Sequence, residues 1–211
     1  MHEGKRDMSG GSKVKAKRMT LLSAVISLVS FGYKLGLGIM TMSLVLIIAS
    51  VSTFLVFVCK AAFVRNLTAT RGKKKRAYFV MAFATTLYAT IFILFVVLKV
   101  NGIDISNQNT YEGWFGALFI GFILLMFILS LINLHGALER TDLMVIGLKE
   151  MTFVSALADL VIIEEFVSRI VLQYQDVSVM PQINAYFCAG AGGLMAIVGI
   201  CMFVRWARYR A

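Results

Sequence analysis

Charge is what this sequence has least of. Asp, Glu, Lys and Arg make up 15% of the chain, with 11 acidic residues against 21 basic ones. A soluble domain has about a quarter of its residues charged. This chain cannot clothe a water-facing surface, so most of it must face lipid. Histidine occurs twice and cysteine three times. Cys59, Cys188 and Cys201 all lie in apolar runs and form no C-x-x-C pair, which leaves them as small apolar packing residues. The only proline, Pro181, sits in a short polar stretch. Catalytic signatures are missing as well: there is no H-E-x-x-H, no G-x-S-x-G and no dinucleotide fingerprint. Arg71-Gly72-Lys73-Lys74 lacks the upstream glycine and the Ser/Thr of a phosphate loop. No nucleophile–base pair can be named, so we expect no enzyme, no cofactor and no bound metal.

What is present is apolar and basic. Hydrophobic residues reach 59%, and spans of roughly 20 residues each use up the 211-residue length in five or six crossings. Fifteen of the 21 basic residues fall in three places: residues 1–18, the loop 65–76, and Arg205, Arg208 and Arg210. Short Lys/Arg-rich loops stay in the cytoplasm, so the loop 65–76, which holds no acid, orients the chain. The same clusters attract anionic lipid heads. No recognition module accompanies the basic tail, so we expect no nucleic acid. Asn66-Leu67-Thr68 matches a glycosylation acceptor by pattern, but this orientation puts it on the wrong side.

Counting from that loop gives an all-α membrane helix bundle of six transmembrane helices with both termini cytoplasmic in a plasma membrane. Residues 1–18 form a basic tail, 19–205 the membrane domain and 206–211 a second tail. The spans are about 19–37, 40–64, 77–100, 115–134, 150–172 and 185–204. The first apolar run is followed at once by another, so it reads as an uncleaved span. The break between them is expected near Gly36-Leu37-Gly38. Lys34 would snorkel to the outer surface and Lys60 to the inner one. The loop 101–114 has Asp104 and Glu112 but no base, and Tyr111 and Trp114 sit where interfacial anchors belong. His135 reads as an interfacial residue. Gly32 and Gly36, and Gly192 with Ala196 beside Gly193, are small residues that let helices approach closely.

The fifth span is the unusual one, for it carries Asp159, Glu164, Glu165 and Arg169, with Ser155 a turn before the aspartate. At 1.5 Å per residue, Asp159 lies roughly 14 Å in from residue 150, near mid-bilayer. Glu165 and Arg169 are spaced to pair along one face, whereas Asp159 has no local partner. Ionisable groups at this depth are costly, about 2.5–3.5 kcal/mol each on translocon scales. They are read in three ways: as an ion or proton site with Asp159 as acceptor, as structural groups with Asp159 protonated or bonded to a neighbouring Ser or Thr, or as a poorly inserted span with a wet outer half.

Ser27 to Ser50, SLVSFGYKLGLGIMTMSLVLIIAS, resembles the first hairpin of the cation diffusion facilitator family, with its mid-helix lysine, its glycine and its Ser-Leu before the second span. The resemblance implies six helices with both termini cytoplasmic. That family holds metal through a His/Asp-x-x-x-Asp pair on each of spans 2 and 5. The corresponding positions here are Ser52 and Val56, and Ser155 and Asp159. One ligand of four survives, so a tetrahedral zinc site is not implied, and the family's cytoplasmic metal-binding domain has no counterpart in these residues. The chain is also similar to small six-span membrane proteins of Gram-positive bacteria that have no assigned activity. Two functions follow as expectations: a transporter-like protein for a cation or proton with Asp159 at its centre, or a non-transporting module that packs as a homo-oligomer or with another membrane protein.

Overall fold

The computed structural model describes residues 10–40, 42–66, 69–101, 114–138, 142–174 and 180–209. They form six helices: α1 (Gly10–Met40), α2 (Leu44–Asn66), α3 (Arg71–Val100), α4 (Trp114–Leu138), α5 (Leu143–Tyr174) and α6 (Met180–Arg208). No strand occurs among the described residues. The all-helical class follows from the apolar runs, because a chain in lipid must satisfy its backbone polar groups internally. Four stretches are long and apolar enough to cross a membrane: Lys17–Met40, Leu44–Asn66, Arg71–Leu98 and Ile183–Arg208. They mark the chain as a membrane protein. In α4 the apolar stretch among the described residues is Ile123–Ala137, and α5 is interrupted by its own charges.

The distribution of polarity is that of a bundle in lipid. Val29, Val80, Ile132 and Ile200 are each more than half exposed, while Lys34, Ser50, Ser52, Thr85 and Glu150 are buried. α5 is the centre and packs on α2, α3, α4 and α6, whereas among the described residues α1 packs along α2 and α4 along α5. Aromatic contacts join the pairs: Phe31 with Phe54 across α1 and α2, Phe79 with Phe203 and Trp206 across α3 and α6, and Phe127 with Phe153 across α4 and α5. Two apolar cores result. Tyr88, Phe92, Val154, Val161 and Met195 anchor one, and Tyr78, Met81, Met144, Met151 and Met202 the other.

Several boundaries differ from those expected. The first hairpin breaks at Met42 and Ser43 rather than near Gly36-Leu37-Gly38. Met42 takes a left-handed φ of 48°. Its N–H bonds the Ile39 carbonyl at 3.2 Å and the Ser43 N–H bonds the Gly38 carbonyl at 2.9 Å, a Schellman closure. Gly38 stays helical because α1 and α2 touch there: a Cβ would stand 3.1 Å from the Ile47 nitrogen and 3.2 Å from the Leu46 Cβ. α1 starts at Gly10, so residues 10–18 of the basic tail are helical. α5 starts at Leu143, ahead of the expected residue 150, because Asp142 caps it: its Oδ1 accepts the Met144 N–H at 3.0 Å.

The glycines singled out for packing lie in different surroundings. A Cβ on Gly192 would meet Ile93 Cγ1 at 3.2 Å, whereas Gly32, Gly36 and Gly193 have nothing within 4 Å. Two glycines that the sequence did not single out make closer approaches. A Cβ on Gly147 would stand 2.8 Å from the Tyr78 ring, and one on Gly199 2.6 Å from Thr86 Oγ1.

Candidate functional site

Four helices converge on Asp159. α5 supplies Asp159 and, one turn earlier on the same side, Ser155. α2 supplies Ser52 and Thr53. Both hydroxyls donate to the Ala49 carbonyl of their own helix, at 2.7 and 3.2 Å. Each therefore spends its one proton locally and turns its lone pairs outward. α1 supplies Lys34, whose ammonium donates to Thr53 Oγ1 at 3.0 Å and to Asp159 Oδ1 at 2.5 Å. With its proton already committed, Ser52 accepts from Ser155 Oγ at 3.1 Å. α3 supplies Tyr88, 1% exposed, whose hydroxyl lies beside Ser52 and Asp159.

The ion pair sits in a low-dielectric setting, with side-chain exposures of 7% for Lys34 and 18% for Asp159. Desolvating each ion costs several kcal/mol, and only close pairing and extra hydrogen bonds offset this. Two expectations change here. Lys34 does not snorkel to a surface, because Asp159 and Thr53 lie within its reach inside the bundle. Asp159 meets the lysine of another helix rather than a lone hydroxyl. Lys60 likewise turns inward, donating to Ser27 Oγ at 2.7 Å and to the Ser23 carbonyl at 3.1 Å on α1.

The other residues marked on α5 stand apart from this cluster. Glu164 Oε1 accepts from Ser168 Oγ at 2.7 Å on the same helix. Glu165 is buried. The side chain of Arg169, and with it the expected Glu165–Arg169 pair, lies outside the described residues, as do Tyr111 and the acids of the loop 102–113. His135 is exposed in the last turn of α4.

A second buried charge was not singled out in the sequence. Glu150, near the start of α5, is 3% exposed and pairs with Arg205 of α6. The Tyr78 hydroxyl of α3 donates to Glu150 Oε2 at 3.0 Å and accepts from Arg205 Nη1 at 3.3 Å. Gly147 leaves the room that the Tyr78 ring fills. Close by, Lys75 donates to the Tyr209 carbonyl at 2.6 Å and lies over the Trp206 ring, and Lys74 pairs with Asp142 at 2.8 Å.

Chemically, the Asp159 cluster offers a carboxylate and the Thr53 hydroxyl on one ammonium, with the Ser52–Ser155 pair on the same two helices. It can take up a proton or a hard cation. Among the described residues, no three of His, Cys, Asp and Glu come together. The single base of the first span, Lys34, and the mid-span acid of the fifth, Asp159, are the signal that would have found the pair, since such charges seek each other inside a membrane. Ser52, Thr53 and Tyr88 carry no comparable signal.

Compared with known proteins, the chain matches no protein-family model, no curated protein and no solved structure.

Proposed function

We propose that this is a six-span membrane protein with both termini in the cytoplasm, which moves or senses a cation or proton at Asp159. The observation that carries the reading is the company Asp159 keeps: an ammonium at 2.5 Å that also holds the Thr53 hydroxyl of α2, with Tyr88 of α3 beside the carboxylate. An acid kept only for packing needs one partner. Here α1, α2 and α3 each add a polar group, at a desolvation cost that an apolar core would avoid.

Contacts at the basic ends support the topology. Lys74 to Asp142, Lys75 to Tyr209 and Arg205 to Glu150 bring the start of α3, the start of α5 and the end of α6 to one side. The positive-inside rule makes that side the cytoplasm, where anionic lipid heads would meet it. Descent from the membrane half of the cation diffusion facilitators belongs to the same proposal. It is supported by the meeting of Ser52 and Ser155, at positions the resemblance pairs.

The test is flux of protons and cations in proteoliposomes, comparing wild type with Asp159→Asn. Flux in the wild type that disappears in a folded variant supports the reading, and no flux for either protein across a panel of ions refutes it. A second reading, assembly with itself or another membrane protein, draws on Gly32 and Gly36, which present a face of α1 with nothing within 4 Å. Crosslinking in native membranes tests it: a specific dimer band through single cysteines at 32 or 36 supports it, and monomer alone removes it.

A further inference from the structure

Among the described residues, no acid answers Lys60. The acids there are Asp142, Glu150, Asp159, Glu164 and Glu165. Asp142 pairs with Lys74, Glu150 with Arg205 and Asp159 with Lys34. Glu164 and Glu165 lie toward the far end of α5, about 20 Å along the helix from Lys149. Lys60 itself has neutral partners, the Ser27 hydroxyl at 2.7 Å and the Ser23 carbonyl at 3.1 Å, both on α1. The charged group that bears on it is a second cation, Lys149 of α5. We propose that Lys60 and Lys149 together hold the phosphate of one anionic phospholipid, taken from the leaflet that meets the basic ends of the bundle. This site is separate from the exposed cations of the loop 65–76, and it stands whatever Asp159 does.

Four helices place the two cations. Lys60 lies six residues before the end of α2 at Asn66, and Lys149 six residues after the start of α5 at Leu143. Each is therefore about 9 Å in from its helix end. α2 packs on α5, α1 packs along α2 and α4 packs along α5. Lys60 reaches across to α1, and Lys149 donates to Asn133 of α4 at 3.0 Å. The cations thus mark a seam where the α1–α2 pair meets the α4–α5 pair. Both side chains are half-buried, so each keeps a face on the surrounding membrane.

The chemistry of the seam selects its occupant. An ammonium has three N–H donors, and Lys60 spends two of them on neutral oxygens of α1. Its charge remains uncompensated and Lys149 adds to it, so the seam attracts an anion. Basic pockets between membrane helices take lipid head groups, whose phosphate oxygens accept from lysine. A choline or ethanolamine headgroup carries a cation beside its phosphate, which two lysines repel. The lipid that fits is therefore one with a net negative head. Its acyl chains have a track too: from Asn133 toward mid-membrane, α4 exposes Leu129 and then Leu125 and Met126 on one face. Such a lipid would tie the α1–α2 hairpin to the α4–α5 pair and stabilise the folded chain.

The experiment uses the full chain in a neutral detergent, with phosphatidylglycerol or phosphatidylcholine of the same acyl chains added. Native mass spectrometry reads binding, and thermal unfolding reads stability. Wild type is expected to hold the first phosphatidylglycerol at least about tenfold more tightly than phosphatidylcholine. Phosphatidylglycerol alone should raise the unfolding temperature. Lys60→Gln and Lys149→Gln should each weaken that first binding at least about fivefold, the worth of one lysine at an anionic membrane surface. Lys60→Arg keeps the charge and should retain the lipid. Arg71→Gln and Lys73→Gln, at the exposed start of α3, should leave the first binding unchanged. Circular dichroism matching wild type establishes that a variant is folded, and Lys149→Gln with Lys60→Arg carries the test if Lys60→Gln is not. First binding that does not distinguish the two lipids, that survives the glutamine variants of Lys60 and Lys149, or that weakens equally in the α3 variants overturns the site. Displacement of the lipid by inorganic phosphate would make it a small-anion site and overturns the lipid as occupant.

Discussion

Lys34 and Asp159 are joined more tightly than their separate contributions to stability suggest, and a double-mutant cycle measures how tightly. At 2.5 Å and an effective dielectric of about 20, the two charges attract by about 7 kcal/mol. Desolvation costs several kcal/mol per ion, so the net value of the pair is small. Removing one partner is different, because it leaves the other buried without its counter-charge, at a cost of about 3–5 kcal/mol. Asp159→Asn should fall in that range, since the Lys34 ammonium then keeps only Thr53. Lys34→Met should fall in the same range, because it leaves the Asp159 carboxylate buried without its counter-charge. The double variant Lys34→Met/Asp159→Asn removes both charges and should regain most of the loss.

Unfolding in mixed micelles of rising SDS fraction, followed by circular dichroism, reads all four proteins. The coupling between the two positions should reach at least about 3 kcal/mol, the upper end for contacting residues. Single variants that each cost under about 1 kcal/mol, as solvent-exposed ion pairs do, with a double variant equal to their sum, would refute the buried pair and the site built on it. The cycle also gives the flux assays a folded, neutral control that has neither a carboxylate nor an ammonium.

Three further outcomes follow from the packing and the charges. Gly147→Ala drives a methyl into the Tyr78 ring at 2.8 Å and should cost about 1–3 kcal/mol in the same assay, whereas Gly193→Ala enters open space and should stay within about 0.5 kcal/mol. At the second pair, Arg205→Met should destabilise more than Glu150→Gln. The Glu150 side chain is 4% exposed and would be stranded, while Arg205, at 32%, can extend to the lipid heads. For topology, a single cysteine at Lys73 in a chain otherwise free of cysteine should react with an impermeant maleimide only after right-side-out vesicles are opened. Labelling of intact vesicles would invert the orientation.

The sequence showed the fold through bulk properties and showed the site only in part, for definite reasons. Six apolar runs separated by polar stretches are a one-dimensional signal, and the helices follow it. Helix ends are set by local bonds that composition does not report. The Asp142 cap moves the start of α5, and the Met42 turn carries a left-handed methionine where glycine is the usual choice. Gly38 shows the same limit, because a glycine that breaks a helix and one that lets two helices touch look alike until the second helix is in place. Asp159 was visible because an acid in an apolar run stands out. Its partner was equally visible as Lys34, but pairing them needs the knowledge that α1 lies close enough across α2 for a lysine to reach α5.

That arrangement also accounts for the charges on α5. A helix that faced lipid along one side could place acids only at its ends. α5 is enclosed by α2, α3, α4 and α6, so it can carry Glu150 and Asp159 on different faces, each answered by a cation from another helix: Arg205 of α6 for the first and Lys34 of α1 for the second. A tyrosine of α3 stands beside each acid, Tyr78 at Glu150 and Tyr88 at Asp159, but in different states. Tyr78 is engaged with both members of its ion pair, whereas Tyr88 makes no hydrogen bond to Lys34 or Asp159 among the described residues. The Glu150 cluster is thus complete within the protein and serves as an anchor between α5 and α6. The Lys34–Asp159 pair has no such tyrosine bridging its two members among the described residues.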